Sequence, residues 1–376
     1  MNIPKVVPVA AAILAFCILA TPNHAQGPSH NVSVFATGLN NPRGLTFSPT
    51  GELYLAEGGT SDNNLSTIGQ CLQVIPPIGP YTGGHTSRIS KISATGKRTT
   101  VLDHLPSSMT SPASGGFVSG VADLKFLDGR LYVLTAGSGC SHGLAGTANG
   151  IFELDRDHDS LKMVADLSAF QMANPVADPF TNDFEPDGTW YSMVAVDGSL
   201  FALEPNHEEL DQITRFGYVN RVSDISASEG GIVPTSIAYR NGYFYFGNLG
   251  LYPVTPGTEN VYRLNPRTGK ITVYASGFTA IQGIAFDQKG RLYVLESLTL
   301  PGFPSPAQVG SGTIVRVDRH GEVDTVAKGL SFPTAMTFGP DRNLYVSNFG
   351  YAAPAGAGQI VRVNLHDSDD DYDGAN

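Results

Sequence analysis

The sequence predicts an all-β chain: a six-bladed β-propeller of four-stranded antiparallel blades, closed when the N-terminal strand joins the last blade. Three observations predict it. A two-strand unit recurs six times along the chain. A second two-strand unit follows most of the copies. The last copy lacks a fourth strand, and the first strand of the chain lacks a blade.

The unit is clearest at residues 281–296, IQGIAFDQKGRLYVLE. Two short apolar runs flank a polar turn, which is the pattern of a hairpin. It recurs at 44–57, 121–135, 189–204, 234–248 and 333–348, with an aromatic residue at Tyr54, Tyr132, Phe201, Tyr245, Tyr293 and Tyr345. Those aromatics read as packing between blades. The second unit, strand, Gly-marked turn, strand, lies at 87–105, 149–167, 259–277 and 312–330. Two units make a four-stranded blade. In the third repeat the second unit is weakest, with 204–210 read as a tight turn into the third strand. The sixth copy stops at GQIVRVNL, 358–365, and HNVSVFATGL, 30–39, supplies the missing strand. Residues 32–37 are therefore expected beside 359–363, which closes the ring and removes free edges.

Residues 1–25 have the anatomy of a secretory signal peptide: one Lys, an apolar core and a polar end. The propeller is assigned to 30–365, and the acidic 366–376 to a disordered tail. The expected location is extracytoplasmic, secreted or periplasmic, with no membrane insertion after signal cleavage and a monomeric state. The net charge of −11 disfavours nucleic acid as a partner. Cys71 and Cys140 both fall in the loop after a second strand, in adjacent blades. An oxidising compartment argues for a disulfide between them.

Long loops at 58–86, 171–188, 250–258, 298–311 and 351–358 all open on one face. Function on a rigid scaffold concentrates in such loops. The inner-strand starts, Arg43, Asp123, Tyr191, Thr235, Gln282 and Thr334, and the second-strand ends, Glu57, Thr135, Glu204, Asn248, Glu296 and Asn348, are expected to ring one mouth of the central channel. Arg43, Asp123, Trp190, Tyr191 and Gln282 are the candidate ligand-binding residues, with Trp190 also read as a plug of the channel or as packing between blades. Glu57, Asn248, Glu296 and Asn348 are hard oxygen donors that suit Ca2+ as a candidate cofactor; the alternative is polar strand ends that only order water. Arg43 is expected to pair with Glu57 or to receive a carboxylate. His85 and His142 are candidate general bases. No zinc spacing, nucleophile elbow, Walker loop or dinucleotide fingerprint is present.

The stretches VFATGLNNPRGLTFSPTGELYLAEGG, GQCLQVIPPIGPYTGGHTSRISKIS and DGRLYVLTAGSG resemble the ScyD/ScyE family of secreted bacterial proteins, named for genes of the cyanobacterial scytonemin pathway. More distantly, the chain is similar to NHL-repeat and gluconolactonase-like propellers. The resemblance runs from Val32 to Leu365 and implies a secreted or periplasmic six-bladed propeller. It carries no settled activity and no catalytic residue, and the third repeat departs from the family wording. Three functions remain: a binding or scaffold protein for a small molecule, glycan or protein; a Ca2+-dependent, lactonase-like hydrolase or lyase at the channel mouth; or an accessory factor in extracytoplasmic natural-product biosynthesis. The sequence leaves open whether the protein is an enzyme.

Overall fold

The computed structural model describes residues 27–365, except 61, 156, 158, 180, 182, 183, 302–307, 319 and 352. The signal peptide and acidic tail read from the sequence lie outside the described residues. Six antiparallel sheets form the ring. Their inner strands are Pro42–Phe47, Val121–Leu127, Ser192–Val196, Pro234–Arg240, Ile281–Phe286 and Ala335–Phe338, for blades one to six. The second strands are Leu53–Glu57, Arg130–Thr135, Ser199–Glu204, Tyr243–Asn248, Leu292–Glu296 and Leu344–Asn348.

Closure is as expected. Val32–Leu39 pairs antiparallel with Gly358–Val363, with Val32 opposite Val363 and Ala36 opposite Ile360. Blade three is complete: Glu209–Thr214 and Val219–Asp224 follow a turn at 205–208. Two features depart from the sequence reading. Blade one carries a fifth short strand, Val118–Ser119, because Arg98–Met109 runs past the ordinary strand length and pairs with it. The loop expected from residue 171 begins inside a helix, Leu167–Ala173. Asp166 caps this helix by accepting from the Ala169 N–H at 2.8 Å.

Tight two-residue hairpins join several inner strands to second strands. Asp128-Gly129, Asp197-Gly198 and Asn241-Gly242 all have positive φ, which matches the right-handed strand twist.

The hydrophobic clusters follow the blade interfaces. Tyr54, Val121, Leu124 and Val133 pack blade one on two; Leu134, Ile151, Trp190 and Ala202 pack two on three. Phe201, Leu203, Phe244 and Phe246 join three to four, and Tyr245, Ile284 and Val294 join four to five. Tyr293, Leu295, Met336 and Val346 join five to six; Leu45, Leu55, Tyr345 and Ile360 close six on one. The recurrent second-strand aromatics pack between blades, as expected. Tyr54 meets Phe126 at 5.3 Å, Tyr245 meets Phe286 at 4.8 Å, Tyr293 meets Phe338 at 5.3 Å and Tyr345 meets Phe47 at 5.1 Å, in edge-to-face geometry. Each contact carries one blade onto the next.

Cys71 and Cys140 form the expected disulfide, with their Cα atoms 6.3 Å apart. It ties the long loop of blade one to blade two. No helix among the described residues is long and apolar enough to cross a membrane.

Candidate functional site

The inner strands begin irregularly, and that irregularity builds the channel wall. Pairing with the second strand shifts between Pro42 and Leu45, between Val121 and Asp123, between Pro234 and Ser236, and between Ile281 and Gly283. A bulge leaves a residue unpaired and re-aims its side chain. Arg43, Thr235 and Gln282 occupy these positions.

Polar bonds stitch the wall from blade to blade. Asp123 accepts from the Met193 N–H at 2.9 Å. Ser192 donates to Thr235 O at 2.8 Å, Thr235 to Ile281 O at 2.6 Å, and Thr334 to Pro42 O at 2.6 Å. Gly44 is needed for this fit, since a Cβ there would lie 2.1 Å from the Asp123 carboxylate. Lys125 neutralises Asp123, with Nζ 2.7 and 2.8 Å from its two oxygens.

Inside the wall is a cavity of about 350 Å3, lined by residues from all six blades. Asp123, Lys125, Tyr191, Ser236, Gln282 and Thr334 supply its polar groups; Leu45, Met193, Ile237, Ile284 and Met336 supply apolar surface. It runs along the inner strands toward Phe286 and Phe338, on the hairpin side of the ring. Gln282 Oε1 and Ser236 Oγ are buried there with no hydrogen-bond partner among the described residues.

Tyr191 crosses the channel. It starts in blade three, and its hydroxyl donates to Thr334 O in blade six at 3.3 Å. The Arg43 guanidinium lies 5.8 Å from its ring centre. Burial pushes the Tyr191 hydroxyl pKa up, and Arg43 opposes that rise. Beyond this bar is a smaller compartment of about 150 Å3, lined by Arg43, Thr189, Trp190 and Tyr191 among others. Trp190 itself is fully buried in the interface of blades two and three, so the residue that plugs the channel is Tyr191.

The second-strand ends behave differently. Glu57 accepts from the Asn40 N–H at 2.6 Å, from Ser90, and from Arg88 at 2.8 and 2.7 Å. Glu204 accepts from the Thr189 N–H at 2.7 Å and from the His207 N–H. Glu296 accepts from the Thr279 N–H at 2.8 Å and from the Thr313 hydroxyl at 2.6 Å. Asn348 accepts from the Ser331 N–H at 2.8 Å; Asn248 donates to Ile232 O at 3.1 Å and accepts from the Asn260 N–H at 2.8 Å. In five blades the residue thus latches the chain just ahead of its own inner strand. Thr135 instead accepts from the Gly150 N–H at 3.1 Å. Each of the four candidate oxygen donors is thus engaged within its own blade. Among the described residues, no three His, Cys, Asp or Glu side chains group as a metal site.

The expected Arg43–Glu57 ion pair does not form. Strand register sets Arg88 directly opposite Glu57, and Arg98 stands 3.9 Å away. The Arg43 bulge turns its side chain to the channel, where it donates to Val118 O.

The two histidines stand apart in character. His85 is exposed on the third strand of blade one. His142 is fully buried: Nδ1 is 2.9 Å from Ser108 Oγ, and Nε2 is 3.3 Å from Glu185 Oε2, which also carries the Tyr81 contact on its other oxygen. That network ties four segments of the chain together. Lys125, Ser236 and Thr189 are the channel residues that sequence reading missed. Lys125 follows Asp123 by two, so strand alternation alone puts both on one face.

No family model and no curated protein matches the chain. Solved structures do, at low identity. One is a protein of unknown function from Bacteroides thetaiotaomicron, at 12% identity and TM-score 0.55, covering 89% of this chain and 76% of that one. Another is a putative oxidoreductase (glucose dehydrogenase) from Thermus thermophilus, at 16% and 0.53, covering 88% and 98%. A third is a gluconolactonase from Xanthomonas campestris, at 11% and 0.51, covering 89% of each chain. The six-bladed propeller fold is therefore shared with propellers of the gluconolactonase kind.

Proposed function

We propose that this protein binds a small molecule in the central channel of its propeller, against Asp123, Lys125, Tyr191 and Gln282. The observation that carries this is the 350 Å3 cavity to which all six blades contribute. Its mixed wall and two unbonded polar atoms suit a compact molecule with both apolar and hydrogen-bonding surface. A folded protein or a long glycan exceeds that volume. The signal-like N-terminus and the paired cysteines support an extracytoplasmic place of action. The residues quoted above support grouping the chain with ScyD/ScyE proteins.

A second reading, opening of a cyclic ester in the same channel, is favoured by the fold shared with the Xanthomonas gluconolactonase. The latched strand ends count against routing that chemistry through calcium. One experiment separates the readings. Neutral five- and six-membered lactones are titrated into the purified protein by calorimetry, while acid release is followed. Ser236→Leu fills the cavity. Saturable binding lost in Ser236→Leu supports the channel. Turnover lost in the same variant adds the enzyme reading; binding without turnover removes it. Binding that survives Ser236→Leu contradicts the proposed site.

A further inference from the structure

We infer that the smaller compartment beyond Tyr191 receives a carboxylate, so that the ligand of the channel is an organic monoacid. This rests on the channel reading above and names its ligand class.

Arg43 lines the compartment and carries a permanent positive charge. Among the described residues no carboxylate pairs with it. Glu57 is held by Arg88 and Arg98, and Asp123 by Lys125. Arg43 directs one donor to Val118 O and also acts on the Tyr191 hydroxyl, while its Nε is buried with no acceptor. Thr189 Oγ1, in the wall of the same compartment, is also buried without a partner. Two unmet groups able to donate, beside an unbalanced charge, are costly unless a ligand satisfies them. The rest of the wall includes Val121, Ala122, Ala136, Val233 and Leu249. Such surroundings strengthen a charge-assisted bond.

The single guanidinium selects the class. Its planar fork matches a carboxylate, and one positive charge balances a monoanion. A phosphate dianion would leave charge uncompensated in an apolar pocket. The volume of about 150 Å3 fits the acid group with a short chain or one ring.

Butanoate and benzoate, with butanamide and benzamide as neutral isosteres, test this by calorimetry on the purified protein. Each acid should bind about tenfold tighter than its amide, the worth of one charge-assisted hydrogen bond. Arg43→Gln should erase that preference, with acid affinity falling about tenfold more than amide affinity. Arg43→Lys, which keeps the charge but not the fork, should retain part of it and guards against misfolding of the first variant. Equal affinity for acid and amide, or an acid preference that survives Arg43→Gln, overturns the inference. If neutral lactones bind but neither acid does, the carboxylate inference fails and the channel reading stands. If none of these probes binds, both fail together.

Discussion

At Glu57, Glu204 and Glu296 a second strand ends in a buried carboxylate whose oxygens face hydrogen-bond donors. On the neighbouring inner strands, Arg43, Ser236 and Gln282 carry buried polar atoms that face no partner among the described residues. From sequence, both sets look like one ring of polar groups at a channel mouth. The difference is one of backbone. The second strands pair regularly up to their last residue, so their side chains meet donors supplied by their own blade. The inner strands bulge at their starts, so Arg43 and Gln282 leave the sheet and meet the channel, and Ser236 pairs with Gly247 directly after the bulge of its strand. Polar residues of the first kind hold the blades; those of the second kind are free to hold a ligand.

Breaking a latch should cost the most. Glu57→Ala leaves Arg88 without its buried partner and should lower stability by about 3–5 kcal/mol in urea unfolding. Small-molecule affinity of the remaining folded protein should not change. A variant that folds normally but loses channel binding would reverse the roles assigned to the two sets.

An intermediate effect is expected at Glu204. Burial pushes its pKa from an ordinary 4.5 to about 8, against the pull of the Thr189 and His207 N–H groups. Asp211, fully buried nearby, is raised in the same direction. The folded state therefore keeps protons that the unfolded chain releases. Stability should fall as pH rises from about 4.5 and level off above about 8. Glu204→Gln should flatten that dependence, measured by urea midpoints across the range. An unchanged slope would mean that Glu204 is ionised in its latch.

The smallest effect should come from calcium. With Glu57, Asn248, Glu296 and Asn348 engaged in their own blades, millimolar calcium should leave the melting temperature unmoved. An upward shift lost in Glu296→Gln would restore the metal site to the channel mouth.

Much of the fold was legible because its signals are local. Alternating apolar residues, Asp-Gly and Asn-Gly turns and a recurrent aromatic in every second strand specify hairpins and their packing. Even the closing pair could be read, since Gly358–Val363 and Val32–Leu39 each lack a neighbour in sequence. The site was less legible because its contacts join distant segments. Tyr191 reaches a carbonyl 143 residues away, and Arg88 takes Glu57 from across 31 residues. Their shared place at the channel mouth suggested Glu57 as the partner of Arg43; strand register gave it to Arg88. The bulges that turn Arg43 and Gln282 inward have no distinct residue pattern here. The buried set of Ser108, His142, Glu185 and Tyr81 is likewise drawn from four separate stretches, and only His142 was singled out.

The most direct measurement is a crystal structure of the protein soaked with small acids and lactones. Ligand density is expected within the ring, against Arg43 on one side of Tyr191 or against Ser236 and Gln282 on the other. Density confined to the long loops outside the ring, with only water between the inner strands, would contradict it.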